Sequence, residues 1–157
     1  MQRKLMLIPF LGLCLGIGGL GAATTVQEIP GWYRSLTKPG WNPPDAVFGP
    51  VWTLLYCMMG TSAWLIWAGT DRATARRPLA VFGVQLILNA AWSWIFFGCH
   101  QPGWALAEIV LLWMAIVATI RSFWPISPLA AGLLIPYLGW VSFATILNAA
   151  IWRLNPA

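Results

Sequence analysis

Trp32-Tyr33-Arg34-Ser35-Leu36-Thr37-Lys38-Pro39-Gly40-Trp41-Asn42-Pro43-Pro44 is a polar, aromatic stretch between apolar runs, and it continues through Phe48, Pro50, Trp52 and Tyr56. It holds three tryptophans, two tyrosines and four prolines. Proline fixes φ, removes a backbone donor and pushes the preceding residue out of the helical region. The stretch therefore predicts a stiff, folded loop over residues 27–45 rather than a long helix. Pro50 is expected in the first turn of the following helix, where its missing N–H costs nothing. An aromatic belt at a membrane face would explain each tryptophan singly. It would not need Pro39, Pro43, Pro44 and Pro50 in a fixed frame, so the loop is expected to act as a lid over an apolar cavity.

Outward from this loop the chain is strongly apolar. Of 157 residues, 59% are apolar and 8% charged, against about 25% charged in soluble domains. That is too little charge to cover a soluble surface, so lipid is the expected solvent. The formal net charge of +5 comes from scattered Lys and Arg; no basic block suggests nucleic acid. Twelve tryptophans exceed what anchoring at two membrane faces requires. Cys14, Cys57 and Cys99 fit neither a disulfide framework nor a zinc site and are expected to pack.

The apolar runs predict an all-α, single-domain bundle of five transmembrane helices, with spans at about 5–26, 46–69, 78–98, 104–120 and 129–152. The start, Gln2-Arg3-Lys4 before an apolar run, also has the form of a signal peptide. The length of the run and the small-residue strip Gly12, Gly16, Gly19, Ala23 favour a retained helix. Pro136 should kink the fifth span. Short breaks make consecutive helices antiparallel neighbours. Arg3, Lys4, Arg72, Arg76, Arg77 and Arg121 fall on one side, and Arg34, Lys38 and Arg153 on the other. This bias puts the N-terminus in the cytoplasm and the lid and C-terminus outside.

Three helical stripes carry the candidate site. Span three has Gln85, Asn89, Trp92 and Phe96 on one face; span five has Tyr137, Trp140, Ala144 and Asn148; span two has Trp52, Tyr56 and Met59. Buried amides need partners, so Gln85 faces either another helix or a polar ligand edge, while Asn89, flanked on its own face by Trp92 and Phe96, is expected to line the cavity. Together the stripes and the lid predict a pocket for a flat, mostly apolar ligand with polar edges. Glu108, about a turn into span four, is expected to snorkel to the interface. His100 lies in a break, and one histidine supports neither a triad nor a His-rich metal site; no metal site is expected.

The combined motifs resemble the TspO/MBR family, the tryptophan-rich sensory and translocator proteins. They are Trp32-Tyr33-x-x-Leu36-x-Lys38-Pro39-x-Trp41-x-Pro43-Pro44, Phe48-x-Pro50-Val51-Trp52-x-x-Leu55-Tyr56, Asn89-x-x-Trp92-x-x-x-Phe96-Phe97, and Pro136-Tyr137-x-x-Trp140-x-x-Phe143-Ala144-Thr145-x-Leu147-Asn148. The resemblance covers nearly the whole chain. It implies a homodimer in a bacterial cell membrane and a cavity under the first loop that binds porphyrins, such as protoporphyrin IX or haem, and other flat apolar molecules. No cofactor is implied as a requirement. The family's ligand-contacting positions fall on Tyr33, Trp41, Trp52, Asn89, Trp92, Phe96, Trp140 and Ala144. With Pro44, Phe48, Tyr56 and Gln85 from the lid and stripes, they make the candidate ligand set. Trp52 and Trp140 match two indoles implicated in light-dependent porphyrin breakdown. Ala149 stands where the mammalian sterol motif has tyrosine, a departure that argues against sterol binding through that motif.

The leading expectation is porphyrin binding for sensing, sequestration or transport. A light-dependent protoporphyrin IX-degrading enzyme and a regulatory partner of other membrane proteins are the alternatives.

Overall fold

The computed structural model describes residues 5–156. Helix α1 (Leu7–Glu28) continues through a π-helical turn, Ile29–Tyr33, before the lid; α2 is Asp45–Gly69. Helix α3 (Arg72–Ser93) likewise continues through a π-helical turn, Trp94–Gly98, into α4 (Pro102–Phe123). The fifth span is split into α5 (Pro128–Leu133) and α6 (Ile135–Leu154). Five helical stretches are long and apolar enough to cross a membrane. No strand occurs among the described residues. Arg3, Lys4 and Ala157 lie outside them.

The helices close a ring in the order one, two, five, four, three: α1 packs on α2, α2 on α5, α6 on α4, α4 on α3, and α3 back on α1. Close approach at the first seam depends on glycine. A Cβ on Gly60 would meet the Leu11 Cα and the Phe10 carbonyl oxygen at 3.0 Å, and one on Gly18 would meet the Tyr56 ring at 2.4 Å. The outer surface is apolar: Ile8, Leu20, Leu54, Ile87, Leu111 and Ile146 are all exposed. A soluble monomer rarely presents so much contiguous apolar surface, whereas lipid requires it.

The second span ends at Gly69 as expected, but other helix boundaries differ from the sequence expectation. The first span runs on to Tyr33, because Pro30, having no N–H to offer, is taken into a wider π-helical turn. Pro50 sits inside α2, beyond its first turn. Helix α3 begins at Arg72, six residues before Pro78. Its cap is Asp71, whose Oδ1 accepts from the Ala73 and Thr74 N–H groups (2.9 and 3.0 Å) while Oδ2 accepts from the Thr74 hydroxyl (2.6 Å). The Thr74 hydroxyl, followed by its N–H, holds the Asp71 carboxyl below the ordinary range. The fifth span breaks at Leu134, two residues ahead of Pro136.

Glu108 does not reach the interface. It shares the inward stripe of α4 with Ala105, Ile109, Leu112 and Ile116, and only 8% of its surface is exposed. Helical phase, not distance from the helix end, decides its direction. The tryptophans also divide. Trp41, Trp94, Trp104, Trp124 and Trp152, in the lid or near helix ends, are exposed, as an interfacial belt requires; Trp113 is also exposed but lies midway along α4.

Candidate functional site

The two π-helical turns lie at the lid end of the bundle and deliver Tyr33, Phe96 and Phe97 into one buried aromatic cluster with Leu147 and Ile151. Beside it a cavity of about 500 Å³ opens between α1, α2, α3 and α6. Tyr33, Phe48, Trp52, Tyr56, Trp92, Phe96, Trp140 and Ala144 all line it, so eight of the twelve candidate ligand residues come together there. Trp52 lies tilted over Tyr56 with ring centroids 5.5 Å apart, and Trp140 meets Phe48 edge-on at 5.9 Å.

Four candidates lie elsewhere. Trp41 is half-exposed in the lid and packs edge-on against Phe143 at 5.9 Å. Pro44 precedes α2 as its N-cap. Asn89 lies off the cavity and links two helices: its Oδ1 accepts from the Tyr56 hydroxyl, and its Nδ2 donates to the Tyr137 hydroxyl at 2.9 Å. Gln85 lies one turn further along α3, buried, with neither amide atom hydrogen-bonded. A second amide also holds the bundle. Asn148 Oδ1 accepts from Trp92 Nε1 (3.1 Å) and its Nδ2 donates to the Pro102 carbonyl (2.8 Å). Polar pairs thus fix the orientation of Tyr56 and Trp92, while the surface offered to a ligand stays mostly aromatic and aliphatic.

Sequence reasoning missed the wall formed by α1. Gly18, Gly21, Ala22 and Thr25 line the cavity, whereas the strip singled out for packing includes Gly12 and Gly16, beside which an added Cβ would meet nothing. The spacing Gly18-x-x-Gly21-Ala22 was the available signal. Two contacts that hold the lid were also missed. Tyr33 donates to Asn42 Oδ1 (3.2 Å), with the Lys38 ammonium over the Tyr33 ring at 4.4 Å. Asn155, just past α6, accepts from the Thr37 N–H and donates to the Thr37 carbonyl, both at 2.9 Å. This pairing ties the lid to the end of the fifth span. His100, with a left-handed φ of 55°, stacks on Trp32 and meets Glu28 at 2.9 Å. It therefore braces the base of the lid from outside the cavity.

Replacing Asn155 with alanine removes both lid hydrogen bonds, each contributing about 1 kcal/mol. Ligand dissociation from Asn155→Ala should be faster by roughly threefold to thirtyfold with little change in melting temperature. Stopped-flow release measures it; an unchanged rate would mean that the lid does not gate the cavity.

Among the described residues no group of three or more His, Cys, Asp or Glu side chains could hold a metal ion. What the cavity offers is shape, aromatic faces and a polar mouth at Asp45 and Thr53.

A ring of five membrane-crossing helices, four of which wall a largely aromatic cavity beside the proline-rich loop, defines a multi-pass integral membrane protein. Residues 10–153 match the TspO/MBR family, and the chain belongs to it. It is 45% identical to the tryptophan-rich protein TspO of Chlorobaculum tepidum over 99% of both chains. It is 47% identical to the human translocator protein, covering 94% of this chain and 90% of that one. It is 35% identical to the tryptophan-rich sensory protein of Cereibacter sphaeroides, covering 96% and 91%.

Proposed function

We propose that this protein binds a porphyrin such as protoporphyrin IX in the cavity under the lid, for sensing, sequestration or transport. The observation that carries the reading is the space of about 500 Å³ walled by Trp52, Trp92, Trp140, Tyr33 and Phe96. Its size falls within the range of pockets for drug-sized ligands, roughly 300–1,000 Å³. Flat aromatic rings stack on indole and phenyl faces, and the glycines of α1 leave room along that wall. The Lys/Arg bias supports a cytoplasmic N-terminus in a bacterial membrane, with the lid outside. A second copy of the chain is the expected partner.

Titration of the purified protein with protoporphyrin IX in the dark tests this reading. Tryptophan emission should be quenched saturably, because three indoles border the cavity. Ala144→Thr adds a methyl and a hydroxyl to the wall, and overpacking typically costs about 1–3 kcal/mol. Porphyrin affinity should fall roughly fivefold or more. Unchanged affinity with unchanged stability would remove Ala144 from the ligand slot.

Light-dependent porphyrin breakdown is the second reading, supported by one observation: Trp52 and Trp140 both border the cavity. Each would then supply an electron to a photoexcited ring held against it.

A further inference from the structure

At the end of the bundle away from the lid, α3 and α4 leave an open groove of about 900 Å³ between them. Its α3 wall is Thr74, Arg77, Pro78 and Val81, and its α4 wall includes Trp113, Met114, Val117 and Arg121. The helices are antiparallel, so Arg77 and Arg121 stand at the same end. From Arg121 the α4 wall runs eight residues to Trp113, about 12 Å at 1.5 Å per residue. The groove is therefore cationic at its mouth and apolar along its length.

Three further observations bear on what fills it. Neither arginine forms an ion pair among the described residues. The nearby acid, Asp71, has its carboxylate oxygens occupied by the Ala73 and Thr74 N–H groups and the Thr74 hydroxyl, as the cap of α3. The N-terminal amides that might otherwise hold an anion are thus already satisfied, and the arginines are the free anion receptors. Trp113 donates its Nε1–H to Ser142 Oγ at 2.9 Å, which ties this 38% exposed side chain of the groove wall to α6.

We infer that this groove is a site for one anionic phospholipid, its phosphate held between Arg77 and Arg121 and the start of an acyl chain laid along Val81, Met114, Val117 and Trp113. Guanidinium groups match phosphate geometry with paired N–H donors and remain charged at every physiological pH. Basic recesses between transmembrane helices at the headgroup level favour anionic lipids over zwitterionic ones. A free phosphate ion would satisfy the arginines but would leave the apolar length of the groove without an occupant, which is why a lipid is the better match. The site is separate from the cavity under the lid and does not depend on what that cavity binds.

Native mass spectrometry of the full chain, equilibrated in detergent with equal amounts of phosphatidylglycerol and phosphatidylcholine, tests this. The wild type should retain one phosphatidylglycerol per chain with a preference of about thirtyfold, the effect expected of two interfacial cations. Arg77→Gln with Arg121→Gln should bring the preference close to one. Arg34→Gln with Arg153→Gln, at the opposite end, should leave it unchanged. Arg77→Lys with Arg121→Lys keeps both charges and should retain part of the preference, which preserves the test if the glutamine variant folds poorly. An undiminished preference in a folded glutamine variant would overturn the assignment. Loss of bound phosphatidylglycerol on adding millimolar inorganic phosphate at constant ionic strength would also overturn it, in favour of a free-anion site.

Discussion

Gly18→Ala should lower porphyrin affinity at least tenfold and lower the melting temperature as well. The new Cβ would stand 2.4 Å from two atoms of the Tyr56 ring, closer than any real Cβ contact, so the ring must turn away. That ring is not free to turn: its hydroxyl donates to Asn89, and Asn89 donates in turn to Tyr137. Displacing it unpairs buried polar groups, at about 1–3 kcal/mol each, and pushes an aromatic wall into the cavity that Gly18 and Tyr56 both line. Gly139→Ala is the matched control, because an added Cβ there meets nothing within 4 Å. It should bind porphyrin normally and melt no lower, since alanine favours helix over glycine by about 1 kcal/mol. Equal behaviour of the two variants in melting and titration would mean that the contact between α1 and α2 does not shape the site.

The second large effect separates binding from photochemistry. In Trp52→Phe with Trp140→Phe, porphyrin binding in the dark should weaken only modestly, because phenyl keeps most of the apolar contact. If the two indoles donate electrons to the excited ring, light-driven loss of the Soret band should disappear in the same protein, since phenyl is far harder to oxidise than indole. Asn89 does not enter this argument: it is bonded to two tyrosines. Parallel loss of binding and breakdown would leave the indoles as wall residues only. Breakdown at the wild-type rate in the double variant would remove them from the chemistry.

Five apolar runs, interrupted by charge only at Glu108, were enough to read the five helices from the sequence, because a membrane span is a matter of length and hydropathy. Their ends were harder, and for a specific reason. Pro30, Pro50 and Pro78 all sit inside helices or helical turns here, where neighbouring helices and slackened turns absorb the missing donors. Ending span one where the charge-free run stops at Val26, and starting span three at Pro78, shortened both. The aromatic part of the site was legible because it repeats at helical spacing on α2, α3 and α6. The glycine wall on α1 was not. Whether a glycine faces a neighbour, a cavity or lipid depends on rotation of the helix, and α1, apolar nearly all round, leaves the spacing of Gly18, Gly21 and Ala22 as its one weak signal. The amides show the same limit: Asn89 has the spacing of a cavity residue but is bonded between Tyr56 and Tyr137, contacts far apart in sequence. Asn155 carried no signal at all, since its partner is the Thr37 backbone across the whole length of the chain.

The central claim is that porphyrin enters the aromatic cavity rather than dissolving in the surrounding detergent or lipid. Induced circular dichroism of protoporphyrin IX in the Soret region distinguishes the two, because only a ring held in a fixed, chiral aromatic environment acquires it. The account predicts an induced band that saturates at one porphyrin per chain, is independent of detergent concentration, and is lost in Gly18→Ala but kept in Gly139→Ala. A porphyrin signal that follows the detergent concentration and shows no induced band with the wild-type protein would contradict it.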